Sequence, residues 1–267
     1  MERITSNQNP KIKHLLQLQQ KSSLRREEGL FVVEGQRELL HCIKAGYEID
    51  SVFTINANDY LINIQVPYLT MATYTPSVYE VSNKVYEKIA YRGSTEGIIA
   101  LVRSKSTKLS DLQTKSSAPL YIVLESVEKP GNLGAILRSA DASGIDAVIV
   151  CDPLTDLYNP NLIRSSIGAI FTVPTLTCTS EECIQYLKNN GVQILTAQLQ
   201  DSNLYYDQDM TKSTAIVMGT ESTGLTDIWR QAADAHIRIP MLGQLDSLNV
   251  SVSAAILMYE AVRQRSI

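Results

Sequence analysis

Residues 120–150 read LYIVLESVEKPGNLGAILRSADASGIDAVIV. Leu120–Leu124 and Ala147–Val150 are apolar runs without polar alternation, as expected of strands buried on both faces. Between them Pro130-Gly131 marks a turn and Ala135–Ser143 carries a helical pattern. Strand, turn, helix and strand in this order form the repeating unit of a parallel sheet.

The same alternation continues downstream. Strands are predicted at Thr172–Thr175, Gln193–Ala197, Thr214–Met218 and His236–Ile239. Helices are predicted near Asn161–Gly168, Glu181–Asn189, Asp227–Ala233 and Val250–Arg265. The fold class is therefore α/β, a mostly parallel sheet with helices on both faces. Ligands of such sheets sit at the carboxyl ends of strands, so the loops after Leu124, Ala197, Met218 and Ile239 are where chemistry is expected.

Upstream, SKSTKLSDLQTKSSA (residues 104–118) is rich in Ser, Thr and Lys between two apolar runs and reads as a linker. Before it, Leu30–Val33 and Val52–Ile55 alternate with the helical Gln36–Lys44, which predicts a small α/β domain. The expected organisation is 1–103, linker 104–118, and 119–267.

With 44% hydrophobic and 19% charged residues, the 267-residue chain can bury a real core. No apolar run approaches the ~20 residues that span a bilayer, and the polar, basic start lacks a signal-peptide core, so a cytoplasmic protein is expected. The four cysteines, Cys42, Cys151, Cys178 and Cys183, form no C-x-x-C pair and have no histidine at zinc spacing. Reduced, buried thiols and no metal are the expectation. Charge is uneven: residues 1–118 carry 15 Lys+Arg against 12 Asp+Glu (net +3), leaving 9 against 16 (net −7) for 119–267. Arg3, Lys11, Lys13, Lys21, Arg25 and Arg26 stand near the start with the single acid Glu2, which suits RNA phosphates or a merely solvated helix face.

Three clusters carry candidate chemistry. In EKPGNLGAILRSADASG (128–144), Asn132 is suited to cap the following helix. Gly134 lies one turn below Arg138, whose planar guanidinium can grip phosphate or ribose oxygens. In MGTESTGL (218–225), Gly219 and Gly224 would leave backbone groups open to a ligand, and Glu221 is either a helix-start charge or a functional carboxylate. The glycine spacing is neither a dinucleotide fingerprint nor a P-loop. In IPMLGQLDSLNVS (239–251), Asn249 or Ser251 can cap the last helix, while Ser247 and Asn249 could also position a sugar hydroxyl. His236 reads as structural, and Trp229, Tyr205 and Tyr206 as packing residues rather than base-stacking ones.

In this order and at these strand ends, the clusters resemble the three motifs of the SpoU/TrmH family of RNA ribose 2′-O-methyltransferases, within the SPOUT class, over about Leu120 to Arg263. Asn132, Gly134 and Arg138 match the first motif; Gly219, Glu221 and Gly224-Leu225 the second; Ile239-Pro240 and Ser247-Leu248-Asn249-Val250 the third. Arg164-Ser-Ser-Ile-Gly-Ala169 also resembles a family segment. Lys129 stands where many members carry an acid. The start TSNQNPKIKHLLQL (5–18) and its domain layout resemble the small ribosomal-protein-like RNA-binding domain that precedes many members.

The resemblance implies a deep trefoil knot in the C-terminal part, an exception to the rule against knots. It implies S-adenosylmethionine as cofactor, held near Thr196, Ala197, Gly219, Ile239, Met241 and Leu248, with Arg138, Asn132, Ser247, Asn249 and Glu221 at the reacting centre. It further implies a homodimer whose active site is completed across the interface, no metal, and an RNA substrate, ribosomal rather than transfer RNA. The competing readings are a tRNA substrate, a non-catalytic RNA-binding or assembly protein of the same fold, and an enzyme methylating a protein or small molecule.

Overall fold

The computed structural model describes residues 2–60, 75–91, 96–114 and 116–266. They fall into two compact units: Met1–Lys105 with Asp156–Thr172, and Ser106–Thr155 with Val173–Ile267.

In the first unit, β1 (Glu2–Ile4), α1 (Pro10–Gln20), α2 (Ser22–Glu28), β2 (Leu30–Glu34), α3 (Gln36–Lys44), β3 (Ile49–Thr54), α4 (Ala57–Tyr60), β4 (Ser77–Val81), α5 (Asn83–Ile89) and β5 (Ile98–Arg103) follow in order. The five strands form one mixed sheet, β1-β4-β3-β5-β2. Pro10 at the start of α1 and the Asn9 carboxamide accepting from the Lys11 amide (2.9 Å) begin that helix. Ile12, Leu15 and Leu18, three residues apart, then bury one stripe against the sheet core.

The basic N-terminal run is not one charged face. Arg25 is 4% exposed; its Nε donates to Asp156 Oδ2 at 2.7 Å and its Nη1 to the carbonyls of Leu18 and Gln19. A guanidinium with several saturated donors is one of the few cations that can be buried without a large penalty. Lys11 pairs with Glu2 at 2.7 Å, which leaves Arg3, Lys13, Lys21 and Arg26 exposed.

The second unit holds β6 (Leu120–Glu125), α6 (Pro130–Ser143) and β7 (Ala147–Cys151), so the strand–helix–strand reading holds. Next come α7 (Pro160–Ser165) and α8 (Ala169–Thr172), which cluster with the first unit. Then follow β8 (Thr175–Cys178), α9 (Ser180–Asn189), β9 (Gln193–Ala197), β10 (Asn203–Leu204), β11 (Thr214–Met218), α10 (Asp227–Ala232), β12 (Ala235–Arg238) and α11 (Val250–Arg265). The seven strands run β10-β12-β9-β11-β6-β7-β8, every pair parallel.

Three expectations are corrected. The strand placed at Thr172–Thr175 lies at Thr175–Cys178, because the apolar Ala169–Thr172 continues as helix and Pro174, lacking an amide proton, blocks pairing until it is passed. Residues 104–118 are not a free linker: Leu109 and Leu112, around a 3-10 turn at Leu109–Asp111, pack on the core of the second unit. Asp156–Thr172, assigned to the C-terminal domain, belongs by its contacts to the first unit. Tyr158 stacks on Phe31 at 4.2 Å, Phe171 meets Tyr47 edge-on at 5.3 Å, and the Tyr158 hydroxyl donates to the Lys105 carbonyl at 3.0 Å. Such aromatic burial outweighs chain proximity. Arg164 lies over the Tyr91 ring at 4.9 Å.

Candidate active site

At the end of β11 the chain doubles back at once. Thr220 and Gly224 exchange two backbone hydrogen bonds (3.3 and 3.1 Å), and Gly224 takes φ +68°, open to glycine at little cost. A Cβ on Gly219 would lie 2.3 Å from the Gly224 backbone, so only glycine permits this approach. The turn carries Glu221 at its tip.

Glu221 gathers the other two motifs. Its carboxylate accepts from Lys129 Nζ (2.7 Å), Asn132 Nδ2 (3.0 Å) and Asn249 Nδ2 (2.8 Å). Asn249 Nδ2 also donates to Asn132 Oδ1 at 3.2 Å, which closes a triangle. Asn249 caps α11, its Oδ1 accepting from the Ser251 amide at 3.0 Å. The Lys129 ammonium above all, then the Asn132 and Val250 donors, hold the Glu221 carboxyl below the usual carboxylate range despite partial desolvation. Glu221 is thus a charge placed at helix starts. Asn132 is not the cap expected of it: Pro130 sets helical geometry at the first position, α6 begins there, and Asn132 falls inside the first turn facing Glu221.

Beside this clamp a cavity of about 680 Å³ opens at the ends of β9, β11 and β12. Ala197, Gly219, Ile239, Met241 and Leu248 line it, together with Glu221, Ser247 and Asn249. Asn132 and Lys129 line an adjoining hollow of about 100 Å³ that shares Gly219 and Glu221. Two residues depart from expectation. Thr196 is fully buried and outside the cavity lining, its hydroxyl 2.6 Å from Nδ1 of His236, its partner across the β9–β12 pair. Arg138 lines neither space. Six residues beyond Asn132 it has turned about 240° around α6, and it is exposed, without hydrogen bond or ion pair among the described residues.

The sequence reading overlooked Gln198, Leu199 and Gln200, which leave β9 directly and line the cavity. Their signal was position alone, the carboxyl end of a parallel strand. Gln198 Oε1 is buried with no partner among the described residues. His236 is structural, as read, and Trp229 is fully buried with Nε1 donating to Ser180 Oγ at 2.9 Å.

The glycine turn, the carboxylate clamp and the strand-end cavity all lie in the stretch over which this chain matches known proteins. The model of the SpoU rRNA Methylase family matches residues 119–259. The chain belongs to this family. Residues 9–100 match the MRM3-like substrate binding domain. The chain is 36% identical over 194 residues to the 23S rRNA (guanosine-2'-O-)-methyltransferase RlmB of Vibrio vulnificus (strain CMCP6), covering 71% of this chain and 78% of that one. It is 26% identical to the 23S rRNA (guanosine(2553)-2'-O)-methyltransferase RlmP of Bacillus subtilis (strain 168), covering 97% and 98%. The crystal structure of the AdoMet-bound rRNA methyltransferase from Sinorhizobium meliloti superposes with TM-score 0.89 at 27% identity, over 98% of this chain and 97% of that one.

As a SpoU methylase the protein is an RNA ribose 2′-O-methyltransferase that uses S-adenosylmethionine. The site fits that cofactor. A space of about 680 Å³ is of small-ligand size, apolar walls from Leu199, Met218 and Leu257 suit a purine, and Gln198 Oε1 is an unclaimed acceptor.

Proposed function

We propose that the substrate is ribosomal RNA, held by the first unit and methylated on a ribose 2′-hydroxyl in the cavity at the ends of β9, β11 and β12. The observation that carries the reading is the meeting of all three motifs on Glu221. The substrate class is supported by the family of residues 119–259, the substrate-binding domain over 9–100, and exposed Lys13, Lys21 and Arg26 for phosphates. A cytoplasmic site of action goes with that substrate, and no helix among the described residues is long and apolar enough to cross a membrane.

When bound, the cofactor supplies a sulfonium methyl group. This chain's own contribution is positioning, which can account for about 7–11 kcal/mol of a barrier when the reacting atoms are held in line. Gly219, Ala197, Ile239, Met241 and Leu248 would hold the cofactor, with Gln198 accepting from it. Glu221 would keep the turn and both helix starts in register, while Ser247 and Asn249 orient the ribose hydroxyl at the rim. Arg138 would stabilise the developing oxyanion and the neighbouring phosphate; an arginine stays protonated, so it does not take the hydroxyl proton.

A homodimer accounts for the place of Arg138. One chain leaves it exposed and away from its own cavity, which suits a guanidinium that completes the partner's site. Val252 and Tyr259, seven residues apart on α11 and 47% and 49% exposed, give α11 an uncovered apolar stripe suited to that interface. The trefoil knot belongs to the same proposal.

Mapping 2′-O-methyl groups in RNA from cells with and without the gene tests the substrate. Loss of one ribosomal site that the purified protein restores with S-adenosylmethionine is expected. Loss confined to transfer RNA, or no loss, overturns it.

A further inference from the structure

The second unit holds a group of side chains that methyl transfer leaves unused. Cys151 closes β7 and Cys178 closes β8, and the two are direct partners across that parallel pair, with sulfurs 3.9 Å apart. Cys183 projects to them from α9, and the three sulfurs all lie within 4.8 Å of one another. Cys151 and Cys183 are fully buried; Cys178 is partly exposed on the edge strand of the sheet.

We propose that Cys151, Cys178 and Cys183 form a three-thiolate site for one soft cation, of the zinc(II) or copper(I) type. Three thiolates around a metal at about 2.3 Å stand roughly 3.8–4.0 Å apart, close to the separation already present, so loading needs little movement. An all-sulfur donor set selects soft ions over magnesium or calcium. Cys183 also separates this arrangement from a disulfide pair, which would leave one thiol over. Entry is through Cys178, and a copper(I) ion would be satisfied by three sulfurs, whereas zinc(II) would take water as fourth ligand. On loading, three S–H bonds give way to three S–metal bonds and the protons pass to the buffer; there is no change of oxidation state. The C-x₂₆-C-x₄-C spacing resembles no zinc motif, because two of the ligands are brought together by strand pairing rather than by a loop.

The test uses the full reduced chain, titrated anaerobically with zinc(II), copper(I) and cadmium(II) in turn. One equivalent of at least one ion should bind, cadmium(II) giving an ultraviolet thiolate charge-transfer band, and calorimetry in two buffers should count the displaced protons. Cys178→Ser, at the partly exposed position, should weaken binding by at least about 100-fold, the upper end of the loss from an outer-shell partner alone. Cys183→Ala should do the same, and Cys42→Ser should leave the stoichiometry at one. Uptake no greater than that of a Cys151, Cys178 and Cys183 triple variant overturns the proposal, as does binding that survives Cys178→Ser and Cys183→Ala. Neither result bears on methylation, whose cavity contains none of these thiols.

Discussion

The carboxyl edge of the parallel sheet differs from one half to the other. At β9, β11 and β12 it opens into the cavity; from β6 towards β7 and β8 it is closed by side chains, beside the small hollow at Val127–Lys129. There, Glu125 accepts from the amide (2.8 Å) and hydroxyl (2.5 Å) of Thr226, Ser180 meets Asp152 at 2.6 Å, and Trp229 donates to Ser180. The open half is built on Gly219 and Gly224, the closed half on an indole and a buried carboxylate. At β11 the glycines bare the backbone, while the larger Leu199, Ile239 and Met241 wall the cavity at β9 and β12.

The largest expected effect probes the closed half. Trp229→Ala should cost about 3–5 kcal/mol of stability, seen as a lower denaturant midpoint, because the indole is fully buried. Binding of S-adenosylmethionine to the surviving fold should stay within a few-fold; loss of binding at full folding would mean that the two halves are one site.

Arg138→Ala should lower transfer by about 10²–10³-fold, the usual loss of one oxyanion donor, with cofactor binding by calorimetry retained. Mixing Arg138→Ala with Asn249→Ala protomers should restore part of the activity, since a mixed dimer would carry one intact site. No recovery after verified subunit exchange would break the trans arrangement.

Gly219→Ala should destabilise by about 1–3 kcal/mol and weaken cofactor binding, as the added methyl meets the Gly224 backbone. An unperturbed thermal midpoint would show that the turn can relax.

The smallest effect concerns pH. The folded-state pKa of Glu221 lies below its ordinary 4.5, so its contribution to stability is present above that value and is lost as pH falls through the lowered one. The difference in melting temperature between the wild type and Glu221→Gln should therefore be largest near neutrality and shrink on acidification. A pH-independent difference would assign the effect to hydrogen-bond geometry rather than charge.

Much of the fold was legible because strands buried on both faces read as unbroken apolar runs, as at Leu120–Leu124 and Thr214–Met218. The errors arose where a distant partner decided the outcome. Arg25 looked like a phosphate ligand and is spent on Asp156, 131 positions away. Leu109 and Leu112 sat in a segment too polar to read as docked. Thr196 belonged to the right strand but is buried beside His236, and strand alternation alone does not say which residue is the last to face the core.

By itself the sequence determined the periodicities, the Asn249 cap of the last helix, and the three clusters that mark a SpoU methylase, all of which are encoded within a few neighbouring residues. Only the tertiary structure decided that β11 lies between β9 and β6, so that Glu221 meets an asparagine 89 positions before it and another 28 after it, and that three scattered cysteines converge. Parallel pairing joins strands through long crossovers, and which strand lies next to which depends on the burial of the whole sheet rather than on any local signal.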